Sequence, residues 1–199
     1  MTLFKEAYHN NQWLNSTMDY NVKYGYEWLR VHKPKVDWRF LFWNTLNIPK
    51  CSFVFWEFLL QRLPTRDRLI RRGLSIDPTC PIFLSIAENH YHLFYDCPFS
   101  VNCHQFMQAH MAVQFRLPDL VTWFSTTRRV TKLQRRYIGS CYVALFYWIW
   151  RCRNEAWVDN IVRRPGVVVQ QILADVKSRF LNLNVTVLKS KDRAWFQNL

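Results

Sequence analysis

The sequence is short of glycine and of acidic side chains. Only 4 of its 199 residues are glycine, where a globular chain has roughly 7%, and this scarcity argues against a β fold rich in tight hairpins. Asp and Glu number 14 against 27 Lys and Arg, and no acidic pair suggests a two-metal catalytic site. Aromatic residues make up 17% of the chain, which argues against disorder and allows a sizeable core.

Long apolar segments are also missing. The longest apolar run, 138–150, has thirteen residues and is interrupted by Gly139 and Ser140, whereas a membrane-spanning helix needs about 20. The first fifteen residues contain no apolar stretch typical of a secretory signal. We therefore expect an intracellular protein, nuclear or cytoplasmic, with no membrane partner and with its six cysteines reduced.

The sequence lacks the motifs of the common enzyme classes. It contains no Gly-rich phosphate loop, no HExxH and no G-x-S-x-G, and a polymerase motif of the Tyr/Phe-x-Asp-Asp kind is absent as well. Glu88 is the only candidate general base near a metal-binding pattern, and it is better explained as a helix-capping residue. We therefore predict that the chain is not an enzyme and has no small-molecule substrate. A zinc hydrolase or nuclease is the weakest hypothesis.

The hydrophobic pattern predicts a mainly α-helical fold. Ser85 and Glu88 have the spacing of a capping box, so a helix is expected to start near Ile86. The segment 51–60 is almost entirely apolar, which favours a buried helix, although a strand is also compatible. Helices are expected over 22–31, 37–43, 51–60, 66–72, 86–96, from about 100, near 118, over 131–158 and over 167–183.

The order of motifs suggests two regions and a tail. Residues 12–116 are predicted to form a small, irregular, zinc-knuckle-like helical module, and 117–185 a C-terminal region built on a long helix. Residues 186–199 are interpreted as a tail. The boundary near 116 is soft, so the two regions could share one core.

Cysteine and histidine are concentrated between residues 80 and 104. Zinc in structural sites takes about four thiolate or imidazole ligands in a tetrahedron. Cys80 lies beside Pro81 in a predicted turn, and His92 and Cys97 have the spacing H-x4-C. These three residues are the predicted metal ligands.

A fourth ligand is missing from the expected position. A C-x2-C pair would place it three residues after Cys80, where Phe83 stands. Cys103 is the leading candidate for the vacancy, and His90, His104 or water are the others. The alternative is a packed core without metal, in which the ring of Phe83 replaces a thiolate. Zinc is thus a weak prediction.

Several short motifs occur together in a fixed order, and in that order they resemble one family. The chain resembles the zinc-binding domain that follows the reverse transcriptase in plant non-LTR (LINE-type) retrotransposons, over roughly 12–182. Segments 20–29, 43–50 and 147–154 fit the same pattern. The remaining motifs are Trp56, Arg62-Leu63-Pro64-Thr65-Arg66-Asp67-Arg68-Leu69, Arg72-Gly73, Cys80-Pro81, Glu88, His92-Leu93-Phe94 and Cys97-Pro98-Phe99-Ser100.

The resemblance implies a zinc site formed by Cys80, the residue at position 83, His92 and Cys97. Three of these carry over, whereas Phe83 departs from the pattern. The family also implies a location after a polymerase domain. A module of this kind would be degraded as a metal site but could retain its other contacts.

The excess of positive charge favours a polyanionic partner. The formal net charge is +13, which suits RNA or single-stranded DNA better than a membrane. Two clusters are predicted to contact phosphate, and a looser group comprises Arg151, Arg153, Arg163 and Arg164. The first cluster is Arg62, Arg66, Arg68, Arg71 and Arg72, and the second is Arg128, Arg129, Lys132, Arg135 and Arg136.

These observations leave two main hypotheses. The first is a retrotransposon-derived, non-catalytic module that binds nucleic acid. The second is a folded structural or interaction relic with no retained ligand. The basic clusters favour the first hypothesis, because like charges packed this closely repel one another unless an anion lies between them.

Overall fold

A computed structural model of the chain describes residues 36–182 and 190–197. The residues divide into two compact units, Met1–Val36 and Asp37–Leu199. Nearly all of the first unit, including the helix predicted over 22–31, lies outside the described residues. The predicted bounds 12–116, 117–185 and 186–199 stay predictions.

The second unit is mainly α-helical, as predicted, and its described residues contain no strand beyond one isolated bridge between Thr79 and Ala87. A π-helix at His92–Asp96 and a 3-10 helix at Leu117–Asp119 interrupt the series. The α-helices are α1 (Arg39–Phe42), α2 (Pro49–Leu59), α3 (Arg66–Arg71), α4 (Pro98–Met111), α5 (Leu120–Thr126), α6 (Lys132–Val158), α7 (Pro165–Asn182) and α8 (Ser190–Gln197).

The long helix α6 is the centre of this unit. Its first turn is closed by a capping box, in which Thr131 Oγ1 accepts from the Gln134 N–H and the Gln134 side chain accepts from the Thr131 N–H. Helices α1, α2, α4 and α7 and the π-helix all pack against α6. The buried apolar residues form one core that extends from Leu41 to Phe180.

Helix α7 confirms the spacing expected from the sequence. Its apolar residues at intervals of four, Val168, Ile172, Val176 and Phe180, are all buried, because positions four apart lie on one face of a helix. Helix α2 is likewise a helix and not a strand, with Cys51, Phe55 and Phe58 buried. None of the described helices combines the length and apolar character that a bilayer-spanning segment needs.

The helix predicted over 86–96 is wrong in its first half. Helical structure begins only at residue 90, and Thr79 and Ala87 pair across a loop instead. Glu88, expected to cap this helix, extends its carboxylate to the backbone N–H of Arg66 at 2.8 Å. Glu88 therefore accepts a hydrogen bond from the N–H of the first residue of α3. This distant contact takes the place of the local capping box that was predicted with Ser85.

Apart from the contact with Glu88, local interactions define the start and end of α3. Thr65 stands at the N-cap position, but its hydroxyl bonds to Asp67 and not to a backbone N–H. Gly73 ends the helix with φ +92°, and the Leu74 N–H donates to the Leu69 carbonyl at 3.1 Å. This is the glycine-ended C-terminus that the sequence predicts.

Helix α1 approaches α6 closely because α6 has a glycine at the crossing. A Cβ atom at Gly139 would lie 3.1 Å from Leu41 Cδ2. Beside this contact the Asn44 amide donates to the Arg136 carbonyl at 2.6 Å and to Ser140 Oγ at 2.9 Å. These buried polar contacts fix the segment after α1 onto the first half of α6.

Candidate metal centre

The first donor, Cys80, is presented by a tight loop. The Cys80 N–H donates to the Ile86 carbonyl at 2.7 Å, and the Leu84 N–H donates to the Cys80 carbonyl at 2.8 Å. These bonds close the loop on both sides, and the backbone N–H groups of Ile82 and Phe83 hydrogen-bond to the Cys80 sulfur. Backbone N–H groups around a sulfur stabilise the thiolate form that binds metal.

The other two donors are brought together by the π-helix. The Cys97 N–H donates to the His92 carbonyl at 2.7 Å, an i→i+5 bond. Such a wide turn places residues five apart nearly above one another, which an α-helix does not do. Pro98 then holds Cys97 in an extended conformation, with φ −59° and ψ 126°, at the start of α4.

The three side chains converge on one point. A ligand atom from each of Cys80, His92 and Cys97 lies within 4.8 Å of the other two. Both cysteines are fully buried and His92 is 4% exposed. His92 Nε2 is buried with no hydrogen-bond partner among the described residues, a costly state for a polar atom that a metal ion would relieve.

The two thiols titrate as a pair. The hydrogen bond with the Cys97 thiol lowers the pKa of Cys80, and the backbone N–H groups of Phe83 and Ile82 act in the same direction. The hydrogen bond with Cys80 raises the pKa of Cys97, and burial adds to this rise. Without a metal the pair thus favours one thiolate and one thiol.

The donor set fits zinc at three of four positions. Two sulfurs and one imidazole, buried together, are the ligands that zinc prefers in structural sites. Phe83 offers no donor atom, and its side chain is 43% exposed at the edge of the loop. The structure thus places the three predicted ligands together, and within the part of the chain that it describes no protein side chain fills the fourth position.

Cys103, the leading candidate for the fourth ligand, is not part of this group. Its sulfur lies 4.0 Å from the Pro165 carbonyl oxygen, and burial raises its pKa to about 12. His104 bonds through Nε2 to the Phe115 carbonyl at 2.9 Å. Cys103 therefore projects from α4 toward the start of α7, and His104 projects toward the loop at Phe115.

His90 also serves packing. Its ring stacks on Phe58 with centroids 4.9 Å apart and an interplanar angle of 18°. Burial lowers its pKa to about 4, and the charge of Arg68 adds to this effect. His90 is therefore neutral at physiological pH and belongs to the aromatic core between α2 and the π-helix.

An ion pair missed by the sequence analysis anchors the metal loop. Arg153 donates to Glu88 through Nη2 at 2.7 Å and Nε at 2.9 Å, and both residues are about 1% exposed. The guanidinium also lies over the rings of Trp150 and Trp157, at 4.9 and 4.5 Å. Arg153 is thus a structural residue of α6. The sequence does contain a signal for this buried pair. An arginine close to two tryptophans in an apolar helix is expected to be buried, and a buried charge needs a partner of opposite charge.

The first predicted basic cluster is divided by the structure. Arg66 is only 8% exposed, and its Nη1 donates to the Thr79 carbonyl at 2.6 Å and the Asp77 carbonyl at 3.1 Å. It therefore secures the loop that carries Cys80, and placing it in the phosphate-binding surface was wrong. Arg71 pairs with Asp67 at 2.8 Å on the surface, while Arg62 and Arg72 are exposed and Arg68 is half-buried.

The second cluster lies around the start of α6. Arg128, Arg129 and Lys132 are exposed, and Arg135 and Arg136 are half-buried. No carboxylate among the described residues lies within salt-bridge distance of any of the five. No acidic residue occurs between positions 119 and 155 of the sequence.

In the looser third group, Arg151 and Arg163 pair with Glu155 and Arg164 is exposed.

The chain was compared with known proteins and families. Neither the curated proteins nor the solved structures include a match. One family does match, over a segment that includes all three converging donors, the Phe83 position and Glu88. Residues 20–103 of the chain match the family described as zinc-binding in reverse transcriptase.

Proposed function

We propose that the chain is a retrotransposon-derived module that binds zinc and nucleic acid and does not catalyse a reaction. The convergence of Cys80, His92 and Cys97 in a buried site carries this proposal. The site lies inside the segment that matches a zinc-binding family of reverse transcriptases. Zinc there would join the Cys80 loop to the start of α4 and so stabilise the fold.

The surface around the start of α6 supports the nucleic-acid part of the proposal. Arg128, Arg129 and Lys132 are exposed cations without acidic partners in the described residues. Arginine side chains bind phosphate through paired N–H groups and stack on bases. Trp43 is 79% exposed, so an aromatic ring is available for stacking on an unpaired base. These features favour RNA or single-stranded DNA.

The environment of Glu88 favours a non-catalytic role. The Glu88 carboxylate, the candidate general base, is held by Arg153 and by the Arg66 N–H. A carboxylate bound in this way cannot exchange protons with a metal-bound water without losing both partners. Glu88 is therefore a structural residue in this proposal.

One observation favours a second candidate, a folded relic without a ligand. The Cys80 and Cys97 thiols hydrogen-bond each other, so the site is closed by its own side chains in the absence of zinc. Under this alternative, the burial of side chains maintains the Cys80 loop without zinc. Zinc content separates the two candidates.

The proposal also includes the origin of the chain and its location in the cell. The order of the motifs from Trp56 to Ser100 supports an origin in a plant LINE-type element. All six cysteines are unpaired in the structure, which is consistent with a reducing compartment and hence with a nuclear or cytoplasmic location.

Binding to a short single-stranded RNA, measured by fluorescence anisotropy at several salt concentrations, tests the nucleic-acid part. Arg128→Ser together with Arg129→Ser should reduce the slope of log K against log salt by about 1.4, since each phosphate contact contributes about 0.7 for single strands. The matched control is Arg164→Ser with Lys177→Ser, which removes the same charge elsewhere and should leave most of the slope. No binding by the wild-type chain at low salt would contradict the proposal.

A further inference from the structure

A cleft of about 390 Å³ opens between α1, α5 and the first half of α6. This volume lies within the roughly 300–1,000 Å³ of small-molecule sites. Three cationic side chains line it, Lys132, Arg135 and Arg136. We call it the α6 cleft.

The opposite side of the α6 cleft is apolar. The half-buried Phe40 lines it, and the ring of Phe124, only 1% exposed, packs behind it with the centroids 6.1 Å apart and an interplanar angle of 40°. Gly139 also lines it and adds no side chain. The cleft therefore presents aromatic surface next to cations, a combination that suits an anion joined to a flat ring.

The charge in the cleft is not compensated by the described residues. Arg135 Nη2 donates to the Thr127 carbonyl and Arg136 Nη2 to the Thr45 hydroxyl. Both acceptors are neutral, and Arg135 Nε is buried with no partner among the residues that the structure describes. Within residues 36–182 and 190–197, neither arginine has a carboxylate partner, nor does Lys132.

The position of these cations on α6 adds to their effect. The helix has 27 residues, and its first turn contains no acidic side chain. The N-terminal end of a helix is already positive, so cations there raise the potential and cost stability. Asp192 of α8 lies at this end, but it is buried, accepts the Thr131 hydroxyl at 2.5 Å and does not line the cleft.

We propose that the α6 cleft binds the terminal nucleotide of a single strand, with a phosphomonoester on the three cations and the base against Phe40. A terminal phosphate carries about −1.5 to −2 charges at neutral pH, twice that of an internal phosphodiester, and three cations match the higher charge. The cleft encloses one nucleotide and not a duplex. This inference deepens the proposed nucleic-acid function and rests on it.

Calorimetric titration of the full chain tests the inference with adenosine 5′-monophosphate, adenosine and inorganic phosphate as probes. We expect binding of the monophosphate, inorganic phosphate at least about tenfold weaker, and no measurable binding of adenosine. Lys132→Ser should weaken binding of the monophosphate at least about tenfold, because it removes a charge-assisted hydrogen bond to the phosphate. Lys177→Ser, which removes an exposed charge from α7, is the matched control and should change affinity less than about twofold.

A second variant tests the apolar side without touching the cations. Ser125 is exposed at the rim of the cleft, and Ser125→Tyr should obstruct the base while leaving inorganic phosphate unaffected. The inference is overturned if the wild type does not bind the monophosphate, if phosphate alone binds equally well, or if Lys177→Ser weakens binding as much as Lys132→Ser. RNA binding that persists with a steep salt slope in those cases retains the proposed function and removes only this site.

Discussion

Arg153 and Glu88 form a buried ion pair that joins the C-terminal part of the long helix to the loop carrying Cys80. The carboxylate accepts a third hydrogen bond from the Arg66 N–H, and Arg66 in turn bonds to the Thr79 carbonyl beside Cys80. One buried network thus fixes α3, the metal loop and α6 relative to one another. The geometry of the candidate zinc site depends on this network.

Breaking the buried pair should be strongly destabilising. Glu88→Gln leaves the Arg153 charge, which is 1% exposed, without a counter-charge, and such changes cost about 3–5 kcal/mol. Urea unfolding at neutral pH measures the loss. Arg71→Gln, which removes the exposed Arg71–Asp67 pair, is the control and should cost less than about 1 kcal/mol. Equal losses for the two variants would show that the buried pair does not support the fold.

The sequence predicts most helices because their signals are local. Helix α6 was expected over 131–158 and spans Lys132–Val158, directly after a local capping box formed by Thr131 and Gln134. The apolar residues of α7 recur every four positions and are buried together. Helix caps and apolar periodicity can be recognised within a short segment, without information on the rest of the chain.

The sequence-based predictions fail where the contacts of a residue are made with a partner that is distant in the sequence. Ser85 and Glu88 have a capping-box spacing, yet Glu88 pairs with Arg153, which is 65 residues away. Arg66 and Arg153 were assigned to basic clusters by residue type, but their partners, the Thr79 carbonyl and Glu88, lie 13 and 65 residues away. The metal ligands were predictable from residue type, whereas the exclusion of Cys103 follows only from the direction of α4.

A donor at position 83 should strengthen metal binding. Phe83→Cys supplies the thiolate missing from a C-x2-C pair, and its backbone N–H already faces the Cys80 sulfur. We expect zinc affinity to rise at least about tenfold, or about 1.4 kcal/mol, in competition with a chromophoric chelator. Leu84→Cys adds a thiol one residue later, on an exposed side chain, and should leave the affinity unchanged. Similar gains in both variants would contradict the assignment of the vacancy to position 83.

Acid should destabilise the chain partly through His90. Its pKa falls from 6.5 to about 4 on folding, so between these values the unfolded state binds more protons and stability decreases as the pH falls. Above about pH 6.5 the residue contributes no pH dependence. His90→Phe keeps the stack on Phe58 and cannot titrate.

The comparison is made by urea unfolding at pH 7 and at pH 4. His90→Phe should lose about 1–3 kcal/mol less stability than the wild type between the two pH values. His110→Phe changes an exposed histidine and should follow the wild-type profile. Identical profiles for all three proteins would show that His90 is not held neutral by the fold.

Zinc content is the most direct test of the central claim that Cys80, His92 and Cys97 form a metal centre. Native mass spectrometry of the purified chain gives the number of zinc ions per molecule. We predict one zinc in the wild type, its loss in Cys97→Ser and its retention in Cys103→Ser, because Cys103 lies outside the group. A wild-type chain that remains metal-free in excess zinc, or a Cys97→Ser variant that keeps its zinc, would contradict the account.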